Sequence, residues 1–246
     1  MNAVIRRETA ARFRALSTWI FLAVALFFGG ALCALFQLLM EDVHFSYPLV
    51  YLQIVMIVAL PLLTMGAFAA PGEREARRLV LSLGVTAWQT VLGKYLSYLA
   101  ALGALCAVLA LYPLVVSAFG TIAMATTYAT LLAFFLLCAA LLALCLWIAA
   151  LLRTRGRTLT AVLGVVALVV VYLPEVVSLL LDSVGAPAGP VTLLRAVSLS
   201  TRLLRFGNGI FDVGTVVFDL SVIAFFLCLA WVSEVRARHR EEVCGL

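Results

Sequence analysis

The sequence has 246 residues, of which 65% are hydrophobic and only 12% charged, and its mean hydropathy is +1.18. Soluble globular domains carry about 25% charged residues, so the composition excludes a soluble fold and predicts an integral membrane protein. The hydrophobic runs have the length of helices, which predicts an all-α fold and excludes a barrel of short alternating strands. The net charge of +5 comes from short basic clusters beside these runs, without the interleaved aromatic residues of a nucleic-acid surface, so nucleic acid is not expected as a partner.

Six membrane-spanning helices are predicted within a single transmembrane domain that covers residues 1–246. The criterion is a run of about 20 apolar residues, which crosses the hydrocarbon core as a helix. The first run is too long for the core of a signal peptide, and no small-residue cleavage site follows it, so we expect it to remain as a span. The predicted spans lie near residues 17–39, 48–70, 92–118, 126–151, 159–181 and 214–233.

The loops between these spans differ in charge from one side of the membrane to the other. Most of the basic residues collect on one side, which by the positive-inside rule predicts that both termini are cytoplasmic. The even number of spans agrees with that orientation. The basic residues of this side are Arg6, Arg7, Arg12, Arg14, Arg74, Arg77, Arg78, Lys94, Arg153, Arg155, Arg157, Arg236, Arg238 and Arg240.

Two segments are predicted to lie on the membrane surface. Residues 1–16 alternate apolar side chains with arginines, as in an interfacial helix under the inner leaflet. Residues 191–206 place Arg195, Arg202 and Arg205 on one helical face beside a broad apolar face, which favours a short helix in the outer leaflet. An ordinary exposed helix is the alternative for this second segment.

Residues 73–90, between the second and third spans, form a charged, amphipathic segment on the arginine-rich side. Pro71-Gly72 ends the preceding span, and Glu73 to Leu83 predicts a short helix with charges on its wet side and leucines available for a groove. Such a helix can push two spans when a partner moves; a simple interfacial loop is the alternative. The candidate coupling residues are Glu73, Arg74, Glu75, Arg77, Arg78, Leu79, Leu81, Leu83, Trp88 and Lys94.

Two acidic residues at membrane depth are candidates for a substrate path. Glu175 lies near the outer end of the fifth predicted span, and Asp219 lies inside the start of the sixth. Charges within spans are costly and are functional candidates by default. Local capping or pairing with an arginine of the fifth loop is the alternative for both.

Catalytic and metal-binding motifs are not found in the sequence. The six cysteines form no CxxC pair, the only histidines are His44 and His239, and HExxH and GxSxG do not occur. A metal site and an intramembrane hydrolase are therefore not favoured, and we expect no catalytic residues, no metal and no directly bound cofactor. GxxxxGK[ST] is also absent, so any ATP chemistry belongs to another chain.

The run from Val80 to Leu96 resembles the coupling region of type-2 ABC transporter permeases, which ends in a Leu-Gly-Lys that enters the next span. The closest subgroup is the gliding-motility-type permeases. The sequence departs from the family where Ala76-Arg77-Arg78 replaces a Gly-Thr pair and where Gly84 replaces a proline. Similar segments elsewhere are Ile5-Arg6-Arg7-Glu8, Phe13-Arg14-Ala15, Phe27-Phe28-Gly29-Gly30, Leu199-Ser200 to Arg205-Phe206, Gly209-Ile210-Phe211-Asp212, Val216-Val217 and Leu220-Ser221.

The resemblance implies a half-transporter in a bacterial inner membrane. Two six-span permease subunits, identical or different, would pair above two ATP-binding-cassette ATPase subunits, which bind ATP and Mg. Export is the direction that the family implies, and an accessory membrane or periplasmic subunit stays open as a further partner. The apolar spans favour a lipid-like, hydrophobic or peptide cargo over a small ion. The alternatives are a secondary transporter or channel and a non-transporting assembly scaffold, including cofactor-maturation complexes.

Overall fold

The computed structural model is all-helical throughout the residues that it describes, without a strand among them. The described residues are 2–40, 46–64, 67–68, 86–117, 124–152, 173, 176–180 and 213–243. The helices named here are α1 (Asn2–Arg14), α2 (Leu16–Met40), α3 (Ser46–Thr64), α4 (Ala87–Leu109), α5 (Leu111–Ser117), α6 (Met124–Leu152) and α7 (Val213–Val243).

Five stretches of these helices are long and apolar enough to cross a membrane. The all-α, multi-span architecture is therefore confirmed at this level. The predicted fifth span, residues 159–181, lies mostly outside the described residues, and residues 73–85 and 191–206 lie wholly outside them. The five stretches are Leu16–Phe36, Tyr47–Thr64, Ala87–Val115, Met124–Leu152 and Val213–His239.

Helix α6 is the centre of the bundle and contacts α3, α4 and α7. It is the most buried of the five membrane-length helices, whereas α2 and α7 lie at the periphery and leave large apolar side chains such as Phe27 and Phe225 exposed. Lipid tails are as apolar as the core, so helices associate there through close packing. Most alanines of α6, including Ala139 and Ala143, are buried and permit that approach.

Helix α2 approaches its neighbours most closely at a pair of glycines. A Cβ atom at Gly29 would lie 3.2 Å from the Leu109 side chain and 3.6 Å from that of Leu52. A Cβ atom at Gly30 would lie only 2.7 Å from the Tyr112 hydroxyl oxygen. The missing side chains therefore let α2 lie against α3 and against the junction of α4 and α5.

Prolines lie at one helix break and inside one continuous helix. Pro113 has no N–H to donate to the carbonyl of Leu109, and the chain turns at Ala110 between α4 and α5. The predicted third span is therefore two helices in sequence. Pro61 lies inside α3, where the Thr64 hydroxyl donates to the carbonyls of Leu60, at 3.1 Å, and Pro61, at 3.3 Å.

Candidate coupling site

Helix α4 begins at Ala87, five residues before the predicted start of the third span at 92, because a capping box fixes its first turn. The backbone N–H of Gln89 donates to the Thr86 hydroxyl at 3.4 Å, and the Thr86 N–H donates to the Gln89 side chain at 3.3 Å. Each bond satisfies a backbone donor that the start of a helix would leave without a partner. The Thr90 hydroxyl donates to the Thr86 carbonyl at 3.3 Å, which adds a third bond to this turn.

Lys94 joins the start of α4 to the residues that follow α3. Its side chain is only 3% exposed, and Nζ donates to the Ala67 carbonyl at 2.7 Å. The same ammonium lies 5.2 Å from the centre of the Phe68 ring, within the range of a cation–π contact. A buried charge requires such partners because burial removes it from water. The bond therefore links the second turn of α4 to the residues that follow α3.

The charged end of α7 packs against the same turn of α4. Glu234 is 2% exposed, and its Oε1 accepts from Arg238 Nε at 3.3 Å. The Arg238 side chain, 13% exposed, also donates from a terminal guanidinium nitrogen to the Thr90 hydroxyl at 2.9 Å. At 31 residues α7 is about 46 Å long, which exceeds the roughly 30 Å hydrocarbon core and lets this end extend into water.

Two tryptophans lie beside this polar contact. The Trp88 and Trp231 rings meet edge to face, with centroids 6.2 Å apart, and both side chains are partly exposed. Tryptophan is enriched at membrane–water interfaces, where its ring and its N–H meet different environments. The pair joins α4 to α7, and we expect the membrane surface to lie near its level.

Helix α1, within the predicted surface segment 1–16, packs against α4 and more lightly against α2. The Arg12 guanidinium lies 3.8 Å from the centre of the Tyr98 ring, and Tyr98 is fully buried. This contact fixes α1 to the side of α4 one turn beyond Lys94. The location of α1 at the inner leaflet stays a prediction.

We refer to Thr86, Thr90, Lys94, Glu234 and Arg238 together as the entry cluster, since they surround the start of α4. Of the predicted coupling residues, the structure describes two: Lys94 belongs to the cluster, and Trp88 lies beside it, 38% exposed. The other eight, Glu73, Arg74, Glu75, Arg77, Arg78, Leu79, Leu81 and Leu83, lie outside the described residues.

Of the two candidate residues for a substrate path, the structure describes only Asp219. Asp219 is 4% exposed, in the second turn of α7, far from the entry cluster at the other end of that helix. Glu175 lies outside the described residues. Among the described residues, no group of three or more His, Cys, Asp or Glu side chains is placed to hold a metal ion.

Sequence reasoning missed four members of the entry cluster, Thr86, Thr90, Glu234 and Arg238, although two local signals were available. Thr86 and Gln89 have the Thr-x-x-Gln spacing of a capping box. Glu234 and Arg238 are four residues apart, the spacing at which opposite charges pair on a helix. The contact of Arg238 with Thr90 joins residues 148 positions apart and has no local signal.

Comparison with known proteins finds no family model that matches this chain and no curated protein that matches it.

Proposed function

We propose that this protein is the membrane-spanning permease subunit of an ATP-binding-cassette transporter of the type-2 family, closest to the gliding-motility-type permeases. A separate ATPase subunit binds ATP and Mg, and a second permease copy, identical or different, completes the membrane part. The chain itself is not an enzyme in this proposal. It resides in a bacterial inner membrane with both termini in the cytoplasm and acts as an exporter.

The contact between Lys94 and the Ala67 carbonyl is the observation that carries the proposal. A coupling segment must turn motion of a partner into motion of spans, so its two ends need firm attachment to different helices. Here a 2.7 Å bond from a buried ammonium links the second turn of α4 to the residues that follow α3, so the helices on either side of the segment are joined directly. A force on residues 73–85 therefore acts on α3 and α4 at one point, and nucleotide-driven closure of the ATPase supplies that force.

The rest of the entry cluster extends this attachment to α7. Arg238 bonds Thr90 in the first turn of α4, so a displacement of that turn also moves the charged end of α7. Within the proposal, Lys94 transmits force instead of touching the ATPase, because its ammonium is buried and already bonded. In this proposal the ATPase contacts the charged residues of segment 73–83 and the half-exposed Trp88.

Affinity purification of the tagged full chain from its native host in mild detergent tests the proposal. We expect an ATP-binding-cassette subunit to co-purify in stoichiometric amount, identified by mass spectrometry, and to be lost when Glu73–Leu83 is replaced by a Gly-Ser linker. Two double variants that remove the same charge distinguish docking of the ATPase from the general effect of positive charge on the predicted cytoplasmic side. R77Q/R78Q should weaken retention of the ATPase, whereas R153Q/R155Q, in the next loop of the same predicted side, should retain more of it.

A preparation that contains intact chain but no ATPase would refute the proposal. The alternative would then be a secondary transporter or channel, for which the buried Asp219 of α7 is the supporting observation, because carriers without ATP place charge within the membrane. A non-transporting scaffold, including one for cofactor maturation, differs from both in moving no cargo. ATP hydrolysis without movement of any cargo would favour the scaffold.

A further inference from the structure

The outward face of α1 is cationic. Arg6, Arg7 and Arg14 are exposed, and the residues between them on the same face, Ala10 and Ala11, are small and exposed as well. This spacing places the three guanidinium groups along one side of the helix. The only acidic residue of α1 is Glu8, which is half-buried.

The cationic face leads directly into an apolar, exposed surface of α2. Leu16 is 73% exposed, Trp19 57% and Ile20 55%. The chain bends at Ala15, so the exposed Arg14 and Leu16 flank the bend on either side. Cationic and apolar side chains therefore form one continuous surface, which includes a tryptophan at the boundary.

Hydrogen bonds hold this bend in a fixed shape. The Thr18 hydroxyl donates to the Arg12 carbonyl, and the Trp19 indole N–H donates to the Phe13 carbonyl, each at 2.8 Å. Both carbonyls lie in the last turn of α1, and that of Arg12 also accepts from the Ala15 N–H at 3.0 Å. The Arg12 guanidinium on the Tyr98 ring attaches the other face of α1 to α4. The helix that carries the exposed arginines is therefore held by hydrogen bonds at its end and by a cation–π contact on its opposite face.

We propose that Arg6, Arg7 and Arg14, with Leu16, Trp19 and Ile20, form a binding surface for anionic phospholipid head groups. Guanidinium groups bind phosphate oxygens through paired hydrogen bonds, and the apolar residues match the start of the acyl chains. Tryptophan prefers the level of the head groups. Continuity with exposed apolar side chains favours a lipid over an acidic protein, which would have to cover Leu16 and Ile20 at membrane depth. The proposal holds whether or not the chain couples to an ATPase.

Trp19 offers a reporter within the proposed surface. In the full-length variant W88F/W147F/W231F it is the sole tryptophan, and its fluorescence is measured in phosphatidylcholine bilayers that contain brominated phosphatidylglycerol or, at equal fraction, brominated phosphatidylcholine. We expect stronger quenching by the brominated phosphatidylglycerol. The preference should fall about fivefold for each arginine of the surface replaced by glutamine. It should also weaken in 1 M salt, where the Debye length is about 3 Å.

R14Q and R236Q form the matched pair, since Arg236 is also exposed but lies near the charged end of α7. R14Q should lower the preference and R236Q should leave it unchanged. Native mass spectrometry of phosphatidylglycerol retained by the wild type and by R6Q/R7Q/R14Q gives an independent measurement if the tryptophan variant does not fold. Equal quenching by the two lipids, or an equal effect of R14Q and R236Q, overturns the proposal. So does a triple variant that keeps its lipid preference but no longer retains a protein partner, because the surface would then dock that protein.

Discussion

The contacts among Glu234, Arg238 and Thr90 predict how substitutions change the stability of the bundle, because the Glu234 carboxylate is buried. Glu234 is 2% exposed and Arg238 13%, so the pair lies in a largely dry environment. R238M removes the counter-charge of a buried carboxylate and, at the same time, the 2.9 Å bond to the Thr90 hydroxyl. Removing one partner of a buried ion pair costs about 3–5 kcal/mol.

Replacing both charged residues should cost less than replacing Arg238 alone. In E234L/R238M no carboxylate remains to be buried without its counter-charge, and apolar replacements of buried ion pairs are often close to neutral. T90V removes a hydroxyl that accepts from Arg238 and donates to the Thr86 carbonyl, and the bond from the charged donor is the larger loss, about 1.5–3 kcal/mol. We therefore expect the order R238M, then T90V, then E234L/R238M from the most to the least destabilised.

Unfolding of the purified protein in mixed micelles with increasing mole fraction of sodium dodecyl sulfate measures these differences. Helix content followed by circular dichroism gives the midpoint for each variant, and R236Q, which alters an exposed arginine of the same helix, is the control for charge. The reasoning is refuted if E234L/R238M is less stable than R238M. That result would mean that Glu234 stabilises the bundle even without Arg238, so the arginine does not merely compensate the burial of a carboxylate.

Three further substitutions test the contacts at either end of α4 by the same unfolding measurement. K94M removes the bond to the Ala67 carbonyl and should cost about 1.5–3 kcal/mol, and an unchanged midpoint would contradict the role of Lys94 as a link. T86A should cost about 1 kcal/mol and speed amide hydrogen exchange in the first turn of α4, while T86S should preserve both; equal effects of the two would show that the cap is unimportant. G30A brings a Cβ atom to 2.7 Å from the Tyr112 hydroxyl oxygen, and this overpacking, less the gain in helix propensity from Gly to Ala, should cost about 0–2 kcal/mol. Y112F should relieve the cost if this contact is its cause.

The architecture could be predicted from the sequence because membrane-length apolar runs have few alternatives. Lipid offers no partner for backbone hydrogen bonds, so such runs are helical. The ends of the helices were harder to predict from hydropathy, because capping residues and prolines determine them. Hydropathy alone started the third span at 92, whereas the Thr86 cap starts α4 five residues earlier. Pro113 similarly divides what hydropathy treats as one span.

The candidate site could be predicted only in part, because its contacts depend on how the helices pack. The position of Lys94 at the border of a predicted span identifies it as a candidate. Its burial could not be predicted, because it depends on the course of the chain after α3. The pairing of Arg238 with Thr90 depends on the crossing of α4 and α7, which no local pattern encodes. Arg12 was assigned to a membrane-facing segment by its charge, yet its guanidinium lies on the buried Tyr98 ring. Charge identifies candidate residues in the sequence, but helix packing determines whether each side chain contacts another helix or the surroundings.

The described polar contacts between helices concentrate at the arginine-rich end of α4. Thr90 bonds α7, Lys94 bonds the chain after α3, the Tyr95 hydroxyl donates to the Ala139 carbonyl of α6 at 3.4 Å, and Tyr98 contacts Arg12 of α1. Thr90, Lys94 and Tyr98 follow one another at intervals of four along one face of α4, and Tyr95 lies about 100° around the helix from Lys94, so the four contacts fall within little more than two turns. Apolar packing tolerates sliding, whereas a hydrogen bond or a cation over a ring fixes position. A displacement of the first turns of α4 therefore reaches four other parts of the bundle, which is the mechanical property that a coupling point between a partner and several spans requires.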